Sequence, residues 1–96
     1  MYKILLADDE RLERNGIEKL IYKFGYDLEI FQAANGVEAI SICEREKIDI
    51  LLTDIKMPIM NGLELIERIR QMGMQPVCII YSAYGEFEYA QSIMVP

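Results

Sequence analysis

Histidine is absent from the sequence, cysteine occurs only twice, and basic residues are fewer than acidic ones. The 10 Lys and Arg against 16 Asp and Glu give a formal net charge of -6 at pH 7. Because binding to a nucleic-acid backbone depends on clustered cations, this balance argues against direct nucleic-acid binding by the chain. Cys43 and Cys78 have neither metal-ligand spacing nor a histidine to activate them, so both are interpreted as small core residues.

Long hydrophobic runs and a secretory signal are also lacking. The opening residues, MYKILLADDE, have no basic start or small-residue cleavage site, and no apolar run approaches membrane-spanning length. We therefore expect a cytoplasmic protein that makes no membrane contact. The 96 residues suffice for a single domain, and 52% hydrophobic with only 9% aromatic residues indicates an aliphatic core of helices packed on a sheet.

Short apolar runs alternate with segments of helical periodicity. The predicted strands are YKILLA (2–7), the weaker DLEIFQAA (27–34), IDILLTD (48–54) and PVCIIYSA (76–83). The predicted helices lie within residues 10–25, 35–47, 61–73 and 85–94. The inward face of the first helix is predicted to carry Ile17, Leu20, Ile21 and Phe24, and that of the second Val37, Ile40 and Cys43. Strands that alternate with helices predict right-handed crossovers and a mainly parallel sheet covered on both faces.

Polar side chains follow three of these strands where each strand ends. Asp8 and Asp9 follow the first strand, Asp54 ends the third, and Ser82 ends the fourth. Open parallel sheets gather their ligand sites at the carboxyl ends of the strands, so these groups are expected to lie together. Clustered carboxylates repel one another unless a hard cation is bound, and oxygen ligands favour Mg²⁺. The alternative is that Asp8 and Asp9 merely cap the first helix.

Three motifs in this order, LLADDE, LLTDIKMPIMNG and IIYSAYGEFEYA, resemble the receiver domain of bacterial two-component response regulators. The resemblance spans roughly residues 2 to 91 and implies a flavodoxin-like, doubly wound parallel sheet of strand order 2-1-3-4-5. It also implies that Asp54 accepts a phosphoryl group from a histidine kinase, with Mg²⁺ held by Asp8, Asp9, Asp54 and the main-chain carbonyl of Lys56. Ser82 would hydrogen-bond a phosphoryl oxygen. The stretch SAYGEFEYAQ further resembles regulators with an AraC-type output.

The end of the chain departs from the family pattern. Receivers usually continue through a fifth strand, which ends in a lysine, and a fifth helix, whereas no lysine follows Lys56 here. Residues 1–96 are therefore expected to form a receiver that is incomplete at its C-terminus, with strand order 2-1-3-4 and without an output domain. The edge of the fourth strand would be left uncovered, which predicts either self-association through that edge or low stability.

The expected activity is that of a phosphoacceptor rather than an enzyme, with at most self-phosphorylation and autodephosphorylation. One alternative is a degenerate receiver that acts as a phosphorylation-independent interaction module, which the missing lysine favours. Another is a Mg²⁺-dependent phosphatase with an aspartate nucleophile. Such enzymes usually need a second acid two residues after the nucleophile, and that position is Lys56 here.

Overall fold

The computed structural model describes residues 1–81 completely and the backbone of residues 87–89. Five strands and three helices are formed by these residues. The strands are β1 (Tyr2–Ala7), β2 (Leu28–Ala33), β3 (Ile50–Asp54), β4 (Val77–Tyr81) and β5 (Phe87–Tyr89). The helices are α1 (Arg11–Lys23), α2 (Gly36–Arg45) and α3 (Gly62–Gln71). No helix among the described residues is both long enough and apolar enough to cross a membrane.

The strands form one sheet in the order β2-β1-β3-β4-β5. The first four are parallel: Leu6 of β1 pairs with Leu52 of β3, and Asp54 of β3 pairs with Tyr81 of β4. The predicted flavodoxin-like order 2-1-3-4 is therefore confirmed. Because these strands run in one direction, all four carboxyl ends lie at the same edge of the sheet, where the polar residues were expected.

The fifth strand corrects two expectations for the end of the chain. Residues 87–89, inside the predicted helix 85–94, form a strand antiparallel to β4, with Ile79 opposite Tyr89 and Tyr81 opposite Phe87. The alternation of Phe, Glu and Tyr suits a strand, and pairing satisfies backbone groups that a bare β4 edge would expose. The helix is therefore wrong for these three residues, and the β4 edge is not uncovered between Ile79 and Tyr81. The other residues of the predicted helix lie outside the described part of the chain.

Helices cover both faces of the sheet, as predicted. The larger core lies under α2 and α3 and includes Leu5, Leu51, Leu65, Ile66 and Ile69, all fully buried. Both cysteines lie in this core, as expected, and neither forms a disulfide. The smaller core, on the α1 face, consists of Ile4, Leu6, Leu52 and Tyr81. The two cores hold the parallel strands, and therefore their carboxyl ends, in fixed register.

Helix α1 meets the sheet along a narrower stripe than its sequence predicts. Ile17 and Ile21 pack against the smaller core, but Leu20 is 50% exposed and Phe24 is 65% exposed. Val37 of α2, also predicted to face inward, is 58% exposed. A helical stripe identifies which side of a helix is apolar, whereas the contact width depends on how the helix is rotated against the sheet. The inward assignments of Leu20, Phe24 and Val37 are therefore wrong.

Candidate functional site at the carboxyl edge of the sheet

Asp54 ends β3 and is almost fully buried, with 2% of its surface exposed. The preceding residues Leu51, Leu52 and Thr53 are buried, so the strand holds the carboxylate against the core. Burial is the main cause that raises the pKa of Asp54, and the charge of Asp8 raises it further; hydrogen bonds from backbone N–H groups act in the opposite direction. One of them runs from the Lys56 N–H to Asp54 Oδ1 at 3.3 Å.

Asp8 follows β1 directly and is completely buried. Its Oδ1 accepts a hydrogen bond from the Glu10 N–H at 2.8 Å, and its Oδ2 accepts one from the hydroxyl of Tyr81. Its own N–H donates to the carbonyl of Ala33 in β2 at 3.1 Å. Hydrogen bonds with residues on several elements therefore fix Asp8 at this edge of the sheet.

Asp9 is placed differently from Asp8. It is exposed, and its carboxylate does not belong to the group of acidic oxygens that converge on Asp54. The charge of Asp9 is the smallest of the causes named for the raised pKa of Asp54. Glu10, rather than Asp8 or Asp9, occupies the N-cap position of α1, and its side chain forms no cap hydrogen bond. Asp8 does accept the N–H of this N-cap residue, so its carboxylate contacts the start of the helix as well as joining the group of acidic oxygens around Asp54.

A third carboxylate, which the sequence interpretation missed, joins the two aspartates. Glu13, in the first turn of α1, places a carboxylate oxygen in a group with oxygens of Asp8 and Asp54 that all lie within 4.8 Å of one another. A hydrogen bond with Asp8, followed by burial and the charge of Asp8, raises the pKa of Glu13 from 4.5 to about 7. Helical side chains lean toward the N-terminus of their helix. An acid in the first turn of α1 therefore leans back toward the end of β1, and its position in the sequence was the available signal that it could join the site.

These oxygens fit a divalent cation. Three carboxylates offer the hard ligands that Mg²⁺ and Ca²⁺ prefer. Burial for Asp54 and the hydrogen bond with Asp8 for Glu13 are the main causes of their raised pKa values, and the charge of Asp8 raises both further. A cation among them would offset that repulsion. The predicted convergence of Asp8 and Asp54 is therefore present, with Glu13 rather than Asp9 as the third member of the group.

The loop between Asp54 and α3 is tightly held. The Gly62 N–H donates to the carbonyl of Ile55 at 2.8 Å, and a Cβ added at Gly62 would lie only 2.3 Å from the carbonyl oxygen of Asp54. Asn61 and Glu64 form a reciprocal capping box at the start of α3. Ile59 has a φ of 74°, an unfavourable angle for a β-branched residue, and its side chain is 88% exposed. The start of α3 therefore sits directly against the backbone of Asp54.

Of the two remaining residues predicted for the site, Lys56 lies within the described part of the chain and Ser82 lies outside it. Lys56 has an exposed side chain, and its main chain lies two residues beyond Asp54, where its N–H contacts the Asp54 carboxylate. Ser82 lies outside the described residues. Its predecessor Tyr81 pairs with Asp54 across β3 and β4. The metal-binding role of the Lys56 carbonyl and the phosphoryl-binding role of Ser82 stay predictions.

A parallel sheet of order 2-1-3-4 with clustered acids at its carboxyl edge is the arrangement expected of a receiver, a class of signalling domain. The sequence profile of the response regulator receiver domain matches residues 4–95, and the chain belongs to that family. Receiver domains are signalling phosphoacceptors and are generally not classed as enzymes. The family resemblance seen in the motifs is thereby confirmed.

Curated relatives and solved structures agree with this assignment. The uncharacterized transcriptional regulatory protein YesN of Bacillus subtilis is 44% identical over 96 residues, which cover 98% of this chain and 26% of YesN. The transcriptional regulatory protein HptR of Staphylococcus aureus is 36% identical over 93 residues, which cover 96% of this chain and 36% of HptR. The chain thus spans only about a quarter to a third of the length of these relatives.

Among solved structures, a two-component transcriptional regulator AraC from Clostridium phytofermentans is 35% identical with a TM-score of 0.78, covering 88% of this chain and 68% of that one. The response regulator TrrA from Thermotoga maritima, solved in complex with Mg²⁺ and BeF, is 32% identical with a TM-score of 0.78. That match covers 88% of this chain and 72% of TrrA. The fold is therefore shared with receivers of transcriptional regulators.

Proposed function

We propose that this chain receives a phosphoryl group on Asp54 from a histidine kinase, in the presence of Mg²⁺, and thereby switches a transcriptional output. The observation that carries the proposal is the convergence of the Asp8, Glu13 and Asp54 carboxylates at the carboxyl edge of the sheet. The family assignment and the complex of TrrA with Mg²⁺ and BeF support it.

Asp54 is the nucleophile in this scheme. An oxygen of its carboxylate bonds to the phosphorus of a phosphohistidine, the phosphorus–nitrogen bond breaks, and the histidine leaves with the bonding electron pair. The hydroxyl of Ser82 is proposed to donate a hydrogen bond to a phosphoryl oxygen. Water can later hydrolyse the acyl phosphate, which regenerates the Asp54 carboxylate and releases phosphate. The chain would then act as a phosphoacceptor with at most self-phosphorylation and autodephosphorylation.

The cation would be held by Asp8, Asp54 and the main-chain carbonyl of Lys56, with Glu13 and the exposed Asp9 as additional carboxylates. Mg²⁺ bound there reduces the repulsion between an anionic nucleophile and an anionic phosphoryl donor. Asp54 itself is oriented by the Lys56 N–H and by the packing of β3. Burial excludes water from most of the Asp54 surface, which protects the bond once it has formed.

The output is proposed from the relatives, several of which are named as transcriptional regulators. DNA binding would belong to another part of the whole protein, because the net charge of -6 gives this receiver no basis for gripping a phosphate backbone. A histidine kinase in the same compartment, the cytoplasm, would be the upstream partner.

The test is intact mass after incubation with acetyl phosphate and Mg²⁺, for the parent chain and for Asp54→Asn. One added phosphoryl group on the parent alone is the expected result. Addition to both chains would place the acceptor elsewhere and contradict the assignment of Asp54. Addition to neither, with Mg²⁺ binding intact, would contradict phosphoacceptance and favour the phosphorylation-independent interaction module. Asp8→Asn serves as a second variant and is expected to slow the transfer while leaving Asp54 in place.

A further inference from the structure

Tyr81 is a buried tyrosine that the proposed transfer to Asp54 does not itself require. It ends β4, is 6% exposed, and its ring packs in the smaller core with Ile4, Leu6 and Leu52. In the sheet it pairs directly with Asp54, so the two side chains leave adjacent strands on the same face. The ring of Tyr81 therefore borders the acidic site from the β4 side.

The hydroxyl of Tyr81 contacts Asp8, which lies two strands away. It donates to Oδ2 of Asp8, while Oδ1 of the same carboxylate accepts from the Glu10 N–H at 2.8 Å. An ionised carboxylate can only accept hydrogen bonds, so the phenol hydroxyl of Tyr81 is the donor in this contact. Both oxygens of Asp8 are thus oriented by donors, one from the start of α1 and one from β4.

We propose that Tyr81 is a positioning residue for the cation site, whose hydroxyl holds the Asp8 carboxylate toward Asp54. The inference rests on the proposed function, since it concerns the same acidic site. A phenylalanine would fill the same space in the core, so packing alone does not account for a hydroxyl that ends on a buried carboxylate. Each carboxylate oxygen can accept more than one interaction, and Asp8 can therefore serve a cation while Tyr81 orients it.

The test is the affinity for Mg²⁺ alone, measured by calorimetric titration, for the parent and for Tyr81→Phe. Residues that orient metal ligands typically contribute about 10- to 100-fold to metal affinity, so Tyr81→Phe is expected to weaken binding by a factor in that range. The matched control is Tyr22→Phe on α1, where the side chain is 59% exposed and the parental affinity is expected. Thermal unfolding without metal separates any loss of folded protein from a loss of affinity.

A double-variant cycle shows whether Tyr81 acts through Asp8. In an Asp8→Asn background, Tyr81→Phe is expected to change the Mg²⁺ affinity no further, whereas a purely structural effect would persist. If Tyr81→Phe fails to fold, the near-ultraviolet circular dichroism of the parent provides a second test: Mg²⁺ is expected to alter the tyrosine signal in the parent and not in Asp8→Asn.

Two results would overturn the inference in distinguishable ways. Parental Mg²⁺ affinity in folded Tyr81→Phe, or an unchanged tyrosine signal on Mg²⁺ binding to the parent, would refute the role of Tyr81 and leave the proposed function standing. Absence of Mg²⁺ binding by the parent chain would refute the proposed function and the role of Tyr81 together.

Discussion

Replacing Gly62 by alanine tests how closely α3 packs against the strand that ends in Asp54. The added Cβ would lie 2.3 Å from the carbonyl oxygen of Asp54 and 3.2 Å from the Thr53 Cγ2. Carbon and oxygen atoms ordinarily approach to about 3.3 Å, so the backbone of β3 or the start of α3 must move by about 1 Å. The closest atom is a backbone oxygen, which cannot turn away as the end of a flexible side chain could.

The size of the effect follows from two opposing contributions. Overpacking of a close contact costs about 1–3 kcal/mol, while alanine gains at most about 1 kcal/mol over glycine in a helix, and less at a first helical residue such as Gly62. The clash therefore prevails, and the free energy of unfolding is expected to fall by about 2 kcal/mol. In a domain of this size that corresponds to a fall of about 8–16 °C in the melting temperature.

The assay is thermal and urea unfolding of Gly62→Ala beside Gly16→Ala. Gly16 lies within α1, and a Cβ there would meet no atom within 4 Å, so only the helix preference changes. Gly16→Ala is expected to gain up to about 1 kcal/mol of stability. Opposite signs for the two variants are the expected result; a Gly62→Ala chain as stable as Gly16→Ala would refute the close packing of α3 on Asp54.

Three further results are expected from the acidic site and its helix. Asp54→Asn should raise the melting temperature without metal, because burial and the charge of Asp8 already disfavour the charged form of Asp54. Mg²⁺ at ten times its Kd should stabilise the parent by about 1.4 kcal/mol, and Asp54→Asn should abolish that gain. An Asp54→Asn chain that melts below the parent in the absence of metal would contradict the first expectation. The raised pKa of Glu13 means that the folded state holds the Glu13 proton to a higher pH than the unfolded state does. Without metal, the contribution of protonated Glu13 to the free energy of unfolding is therefore complete below pH 4.5 and is lost as the pH rises to about 7. Urea midpoints measured across this range should decline less in Glu13→Gln, and equal slopes would contradict the coupling to Asp8. Asn61→Ala removes the side-chain acceptor of the capping box and should cost about 1 kcal/mol in urea unfolding, whereas Glu64→Gln, which can still bond the Asn61 N–H, should cost clearly less.

The sequence predicted the parallel sheet because β1, β3 and β4 are nearly continuous apolar runs, as expected of strands buried on both faces. It also predicted the meeting of Asp8 with Asp54, since strand direction alone brings the carboxyl ends of neighbouring parallel strands together. Asp9 was harder to place. Successive residues after a strand need not share its side-chain direction, and Asp9 turned out to be exposed.

The remaining errors concern properties that depend on how elements sit against one another. Glu13 joins the site because of where the first turn of α1 lies, which helical periodicity does not specify. The exposure of Leu20 and Phe24 likewise depends on the rotation of α1 against the sheet. Residues 87–89 are compatible with helix or strand locally, and pairing with the open edge of β4 decides the outcome.

Ile59 offers a way to make the chain more robust for laboratory work. A residue that is not glycine costs about 1–2 kcal/mol in the left-handed region, and at 88% exposure the isoleucine gains little by burial in return. Asparagine tolerates that backbone angle, so Ile59→Asn is expected to add about 1 kcal/mol, measurable as a higher urea midpoint. A chain that carries Ile59→Asn would have a larger free energy of unfolding, so that destabilising substitutions near Asp54 would still leave it folded. Loss of binding by such variants could then be measured separately from unfolding.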